Sequence, residues 1–248
     1  MKNDPVNIYQ LFQQAVKAQM ELGQSEIVMD RTCFEKPKIE PQMPTGIIAN
    51  PQPEMFTPTA AATSFDSVES HYNAICNCQN CPLGQTRNKF VYGTGNINAD
   101  VMIIGEAPGA DEDRLGEPFV GRAGQLLDKI LAAIQFSRQT VYIANILKCR
   151  PPNNRDPLPE EMEQCFPYLH EQIRLIKPKL ICALGRIAAQ ALLKTTTPLG
   201  KLRNNWHEFE GVPMMVTYHP AALLRFPGYK RDTWEDVKKL KARYDELK

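Results

Sequence analysis

No apolar run in the 248 residues approaches the ~20 needed to cross a bilayer. The first residues also lack the basic, apolar and small-residue order of a secretory signal. Together these absences predict a cytoplasmic protein with no membrane partner. No internal repeat is evident, which excludes solenoid and propeller architectures. A large net charge is missing as well, since 29 Lys and Arg against 28 Asp and Glu leave +1. Overall charge therefore names no partner. Tyr92-Gly93-Thr94-Gly95 contains Gly-x-Gly, but no strand precedes it and no helix follows, so it is no dinucleotide fingerprint. It reads instead as a turn or hairpin.

The charge that is present is unevenly spread. Residues 1–70 carry 5 Lys and Arg against 9 Asp and Glu, a net of −4, which leaves +5 on the remainder. A mildly basic body fits an anionic partner such as nucleic acid. The acidic part has its own organisation. Asp4-Pro5 is a helix start, and Ile8, Leu11, Phe12, Ala15, Val16, Met20 and Leu22 recur mostly at helical spacing up to Gly23. That amphipathic helix, residues 1–23, has no core of its own and could dock on the body or on a partner protein. Residues 24–70 hold no periodicity. Six prolines between Pro37 and Pro58 mark a disordered linker, with Cys33 as a free thiol inside it.

From residue 71 to 248 the pattern is that of one domain. Strand candidates are Val101–Ile104, Val141–Leu147, Lys179–Leu184 and Pro213–Tyr218. Helical patterns separate them at Ala123–Ile134, Glu160–Ile176, Arg186–Leu193 and Thr233–Leu247, and a short helix leads into the cysteines near Ile75. Alternation of this kind predicts an α/β fold, a three-layer α/β/α domain with a central, mainly parallel four-stranded sheet. Lys201–Glu210 adds a short hairpin beside it. The first strand ends at Gly105-Glu106-Ala107-Pro108-Gly109, where two glycines and a proline force an unusual backbone path. Glu106 thus sits at the C-terminal end of a parallel strand, the place where open α/β sheets bind ligands. A polar loop follows, reaching Pro118-Phe119-Val120-Gly121.

Seven cysteines in a reducing compartment suggest metal more than disulfides. Cys78 and Cys81 form a Cys-x2-Cys pair. Cys149 follows the second strand, and Cys165 lies sixteen residues later. Four thiolates from two segments can converge on one cation or cluster, with zinc and iron–sulfur both open on spacing alone. Cys182, in mid-strand, reads as core, and Cys76 as an ambiguous alternative ligand.

With these cysteines stand Gly105-Glu-Ala-Pro-Gly109, Gly116-Glu-Pro-Phe119-Val-Gly121, Ala144-Asn145-Ile-Leu-Lys-Cys149-Arg-Pro-Pro152 and His219-Pro-Ala-Ala-Leu223-Leu224-Arg225. From about Ile75 onward the chain resembles the family 4 (type 4) uracil-DNA glycosylases, the iron–sulfur members of their superfamily. The match departs at Ala107, where that family often has Gly. The resemblance implies the same four-stranded parallel sheet, a 4Fe–4S cluster on Cys78, Cys81, Cys149 and Cys165, and hydrolysis of the N-glycosidic bond of deoxyuridine in DNA. It further implies that Glu106, Asn145 and His219 are catalytic. Gly105, Glu106, Ala107, Pro108, Phe119, Asn145 and His219 would bind the base. Phe119 offers a stacking face and Asn145 a donor and an acceptor for the O4/N3 edge. His219 would donate to uracil O2, and Glu106 would orient water.

Leu223, Leu224 and Arg225 would contact DNA, as wedge and phosphate holder. Lys148 and Arg150 would meet phosphates if their loop faces DNA. The expected partner is uracil-containing DNA and the expected state a monomer. Two other readings fit parts of the pattern: a glycosylase for other deaminated bases, and a non-enzymatic nucleic-acid-binding module held by a structural metal.

Overall fold

A computed structural model of the protein describes residues 65–247. The expected N-terminal helix, Cys33 and nearly all of the expected linker lie outside the described residues. The body is anchored by Phe65, whose backbone N–H donates to Glu171 Oε1 at 3.0 Å and whose carbonyl accepts from Arg174 at 2.7 Å. Ser67 then caps helix α1, Val68–Ile75, by accepting from the Ser70 N–H. Helix α2, Leu83–Thr86, follows the first cysteines, and the short strand β1, Thr94–Gly95, precedes β2, Val101–Gly105.

After β2 come helices α3, Ala110–Leu115, and α4, Arg122–Ala133, then strand β3, Tyr142–Asn145. Helix α5, Pro159–Ile176, leads to β4, Leu180–Leu184, and helices α6, Arg186–Leu193, and α7, Leu199–Leu202. Strands β5, Trp206–Phe209, and β6, Val212–Thr217, precede α8, Pro220–Arg225, and α9, Tyr229–Glu246.

The sheet has the order β1-β3-β2-β4-β6-β5. β2, β3, β4 and β6 are mutually parallel, as expected, and are extended at each edge by an antiparallel strand, β1 on β3 and β5 on β6. The expected four-stranded sheet is thus the core of a six-stranded one. β5 and β6 meet at Glu210 and Gly211, both at positive φ (50° and 83°), as a tight two-residue hairpin requires.

Alternation along the strands makes the three layers. Met102, Ile104, Ala144, Ile181, Ala183, Met214 and Val216 face Leu169 and Ile173 of α5 and Ala188 and Leu192 of α6. Val101, Ile103, Ile143, Leu180, Cys182 and Met215 face Leu127 and Leu131 of α4 and Val237 and Leu240 of α9. Cys182 is therefore core, as read from sequence.

One element departs from expectation. The polar loop after Gly109 contains α3. Three acids, Asp111, Glu112 and Asp113, occupy its first turn, where they complement the helix dipole, and Gly116 ends it at φ 86°. Asp113 is its buried residue and accepts from the Asn88 N–H at 2.9 Å. A helix that buries a carboxylate rather than an apolar face leaves no hydrophobic period to read.

The chain passes from β2 to β3 on one side, then crosses back to β4 on the other side of β2. The topological switch point therefore lies between the C-terminal ends of β2 and β4, flanked by those of β3 and β6. The loop from α3 to α4 closes over this point, and Gly124 makes its approach possible. A Cβ there would lie 1.6 Å from the Phe119 carbonyl oxygen. Gly124→Ala must push the loop outward, and overpacking of this kind costs about 1–3 kcal/mol. The thermal midpoint should fall by roughly 5 °C, read by circular dichroism; an unchanged midpoint would show that the loop yields freely.

Candidate active site

Gly105 and Asn145 are direct register partners at the ends of β2 and β3. The pairing continues past the strands, with Ile146 N–H donating to the Gly105 carbonyl and Leu147 N–H to that of Glu106, each at 3.0 Å. These bonds hold the Gly105–Gly109 turn against the Asn145 strand. A Cβ on Gly105 would sit 2.4 Å from Asn145 Oδ1 and 2.5 Å from Phe119 Cζ. The missing side chain is thus what lets the Asn145 amide and the Phe119 ring converge. Asn145 is 2% exposed, and its Oδ1 has no hydrogen-bond partner. A buried carbonyl oxygen without a partner is rare in folded proteins, and this one lies beside the switch point, where open α/β sheets bind ligands.

Phe119 is held in a conformation that few non-glycine residues adopt, φ 55°. Arg138 fixes it, donating to the Pro118 carbonyl at 3.0 Å and to the Phe119 carbonyl while pairing with Asp128 at 2.7 Å. Glu112 holds the other side. Its carboxylate accepts from the N–H groups of Val120 and Gly121 at 2.9 Å each and from Gly109 at 3.1 Å. The sequence reading missed both Glu112 and Arg138. Charged residues in polar stretches carry no periodic signal, and only the unusual Pro-Phe-Val-Gly run hinted at a constrained loop.

His219 caps α8, its Nδ1 accepting from the Ala221 N–H at 3.2 Å. That bond places the ring proton on Nε2. The imidazole lies 5.4 Å, centroid to centroid, from the Phe119 ring and packs over Gly185, whose φ of 90° brings the β4 end beneath it. Burial, with the Arg225 charge adding to it, lowers the His219 pKa to about 4, so the ring is neutral near pH 7. Glu106 is partly buried, and no described residue donates to its carboxylate. Burial raises its pKa to about 7, Asp156 adds to the rise, and Arg186 and Arg225 oppose it. Asp156 and Arg186 pair with each other at 2.6 Å at the rim. Pro108 is buried in the turn, and Ala107 packs against the neighbouring cysteine cluster.

Cys78, Cys81, Cys149 and Cys165 line one pocket together with Asn80, Gly84, Phe90 and Tyr168. Cys76 points elsewhere, its Sγ toward the Asn73 carbonyl at 3.7 Å. Among the described residues, no group of three or more His, Cys, Asp or Glu is arranged to hold a single metal ion. Three of the four sulfurs nonetheless accept hydrogen bonds. Tyr168 O–H donates to Cys78 Sγ at 3.2 Å, Arg87 to Cys149 Sγ at 3.3 Å, and the Lys148 N–H to Cys165 Sγ at 3.3 Å. Burial, the largest influence, pushes the Cys165 thiol up to about 12 against the opposing effect of Lys148, and raises that of Cys149 against Arg87. Ionised sulfur in this pocket therefore needs a cationic centre between the four residues, and the donor set fits one.

Two of the expected DNA contacts are placed differently from the others. Leu223 is 1% exposed and faces inward, so it cannot serve as a wedge in this arrangement, whereas Leu224 is 45% exposed beside the exposed Arg225. Lys148 is fully buried, with Nζ donating to the Asn145 carbonyl at 2.7 Å and to Gln172 Oε1 at 2.6 Å. It does not reach a phosphate. Arg150 is partly buried and donates to Asn154 Oδ1 at 2.8 Å.

A family model described as the uracil DNA glycosylase superfamily matches residues 92–238. The type-4 uracil-DNA glycosylase of Archaeoglobus fulgidus is 43% identical over 183 residues, covering 71% of this chain and 92% of that one. Its counterpart from Pyrobaculum aerophilum is 44% identical over 174 residues (67% and 89%), and that of Thermotoga maritima 41% over 172 (68% and 90%). The chain belongs to the uracil-DNA glycosylase superfamily and, within it, to the type-4 family.

The raised pKa of Glu106 carries a stability consequence. In the folded state Glu106 binds its proton more tightly than in the unfolded chain, so its contribution to stability is full below the unfolded value of 4.5 and is lost as pH rises to about 7. Glu106→Gln should therefore gain thermal stability relative to the parent at pH 8 and not at pH 4. A calorimetric difference that is the same at both pH values would contradict this environment for Glu106.

Proposed function

We propose that the chain removes uracil from DNA by hydrolysing the N-glycosidic bond of deoxyuridine, leaving an abasic site. The observation that carries the reading is the buried, unpartnered Oδ1 of Asn145, beside the Phe119 ring and at the end of the strand next to Glu106. A flipped pyrimidine would stack on Phe119 and offer its N3–H to that oxygen, while the amide N–H donates to O4. Cytosine reverses this donor and acceptor order and is rejected.

Cleavage breaks the bond between sugar C1′ and uracil N1, the electron pair leaving with the base. The resulting anion is spread onto O2, where the His219 Nε2–H donates from a neutral ring. Glu106 in its carboxylate form faces the cationic sugar, orients the water that adds to C1′ and accepts that water's proton. Outside the pocket, Leu224 is the remaining wedge candidate and Arg225 the phosphate contact, on a substrate of uracil-containing DNA. A 4Fe–4S cluster on Cys78, Cys81, Cys149 and Cys165 would covalently tie the segment before α2 to β3's exit and to α5. The glycosylase domain, expected from residue 71, is assigned from Phe65 onward, because Phe65 and the Ser67-capped helix α1 are bonded into the body; it works as a cytoplasmic monomer, with the residues before it as an appendage for a partner protein.

Cleavage of oligonucleotides containing uracil, with thymine, hypoxanthine and xanthine controls, tests the reading directly. Excision of uracil over the controls supports it, and equal or absent cleavage overturns it. His219→Ala should slow single-turnover excision by on the order of a hundredfold or more, with little change in binding to uracil-containing DNA. Asn145→Asp should relax discrimination against cytosine, because a carboxylate repels O4 but accepts from an amino group. Full uracil selectivity in Asn145→Asp would show that another group reads the base. The single-turnover rate should rise with pH through about 7, and Glu106→Gln should remove that limb. Anaerobically purified protein should be brown, with about four irons per chain; colourless protein with one zinc would displace the cluster.

A further inference from the structure

Lys148 lies between the cysteine pocket and the base-reading amide, and its surroundings are unusual for a lysine. The side chain is fully buried, yet it pairs with no carboxylate among the described residues. Burying an ammonium without a counter-charge is strongly unfavourable. Burial works against its charge, and the nearby thiols of Cys165 and Cys149 favour it. Its two hydrogen bonds run the other way. One goes to the Asn145 carbonyl at 2.7 Å, the other to Gln172 Oε1 at 2.6 Å. Gln172 is itself buried and fixed, donating to the Tyr92 carbonyl at 3.0 Å. The Lys148 backbone completes the bridge, its N–H donating to Cys165 Sγ at 3.3 Å and its carbonyl accepting from Val91 at 2.9 Å.

We infer that Lys148 is a positioning residue that couples the cysteine site to base recognition, its charge neutralised by the sulfur anions on one side and its Nζ fixing the Asn145 backbone on the other. This rests on the cluster and on the role of Asn145 proposed above. Three consequences follow from the geometry. The sulfur anions stabilise the buried ammonium. The ammonium in turn stabilises them against loss of iron. The Asn145 carbonyl, tethered at its far side by Nζ, keeps the amide in register with Gly105. Damage at the cysteine site therefore reaches the uracil pocket through one side chain rather than through general loosening of the fold.

The test uses anaerobically purified holoprotein carrying Lys148→Met, which keeps most of the unbranched side chain and removes its charge and donors. Three quantities are compared with the parent: inhibition by free uracil, affinity for DNA bearing an abasic site, and the rate at which a chelator strips iron. Inhibition by uracil should weaken about tenfold and iron should be lost about tenfold faster, while affinity for abasic DNA stays the same. Unchanged uracil inhibition, or parallel losses of uracil and DNA affinity, would overturn the coupling and leave Lys148 as packing. Should Lys148→Met fail to fold, Gln172→Leu removes one acceptor and leaves the ammonium in place. It should shift uracil inhibition in the same direction, and no shift there overturns the inference. A parent protein without iron or without excision would instead refute the reading on which the coupling rests.

Discussion

The site depends on one pairing, that of Gly105 with Asn145 across two parallel strands. Because residue 105 has no side chain, the Asn145 oxygen and the Phe119 ring occupy the space where a Cβ would stand. The same pairing carries the turn that follows, since the Gly105 and Glu106 carbonyls are taken by the backbone of Ile146 and Leu147. Position of the amide and the carboxylate is thus fixed by backbone hydrogen bonds at the strand ends, while the ring is held against them by Arg138 and Glu112. His219 arrives from β6 by the same logic, with Gly185 at the end of β4 giving it room.

Around that pairing the structure holds its functional groups in forms they would not adopt in water. Phe119 is kept at a positive φ by Arg138 and Glu112. Glu106 is kept close to neutrality of proton exchange by burial, and His219 is kept uncharged. The first two cost stability near pH 7 and the third only at acid pH, and the expense is local, next to an apolar core that packs on both faces of the sheet. Preorganisation of this kind suits a reaction whose charge develops on an aromatic leaving group and a sugar.

The sequence made the central sheet legible, because buried parallel strands read as short apolar runs such as Val101–Ile104 and the helices between them keep a clear 3.6-residue period. It also placed Glu106, Asn145 and His219 at strand ends and Phe119 in a loop, as the structure has them; what joined the four was the order of their motifs in the family resemblance. What it hid were the supports. α3 has no apolar face. β1 and β5 are too short to alternate. Glu112, Arg138 and Gln172 act through side-chain hydrogen bonds to the backbone of other elements, Gln172 reaching Tyr92 far back in the chain, and no hydrophobic period marks such a bond. Leu223 and Leu224 are adjacent and chemically alike, so only the turn of α8 decides that one is buried and the other exposed. Lys148, flanking a cysteine in a basic run, read as a phosphate contact because charge ordinarily implies surface.

Gly105→Ala is the most direct probe of whether the absence of a side chain at the β2 end creates the uracil pocket. The variant should be prepared with its cysteine site intact and assayed for uracil excision in single turnover. The added methyl has to displace the Asn145 amide or the Phe119 ring, and a displacement near 1 Å costs about a hundredfold in rate. A folded variant that keeps the parent's metal content and loses excision by that factor or more is the predicted result. Excision at the parental rate in Gly105→Ala would contradict the account, because the pocket would then not depend on the close approach of Gly105 to Asn145.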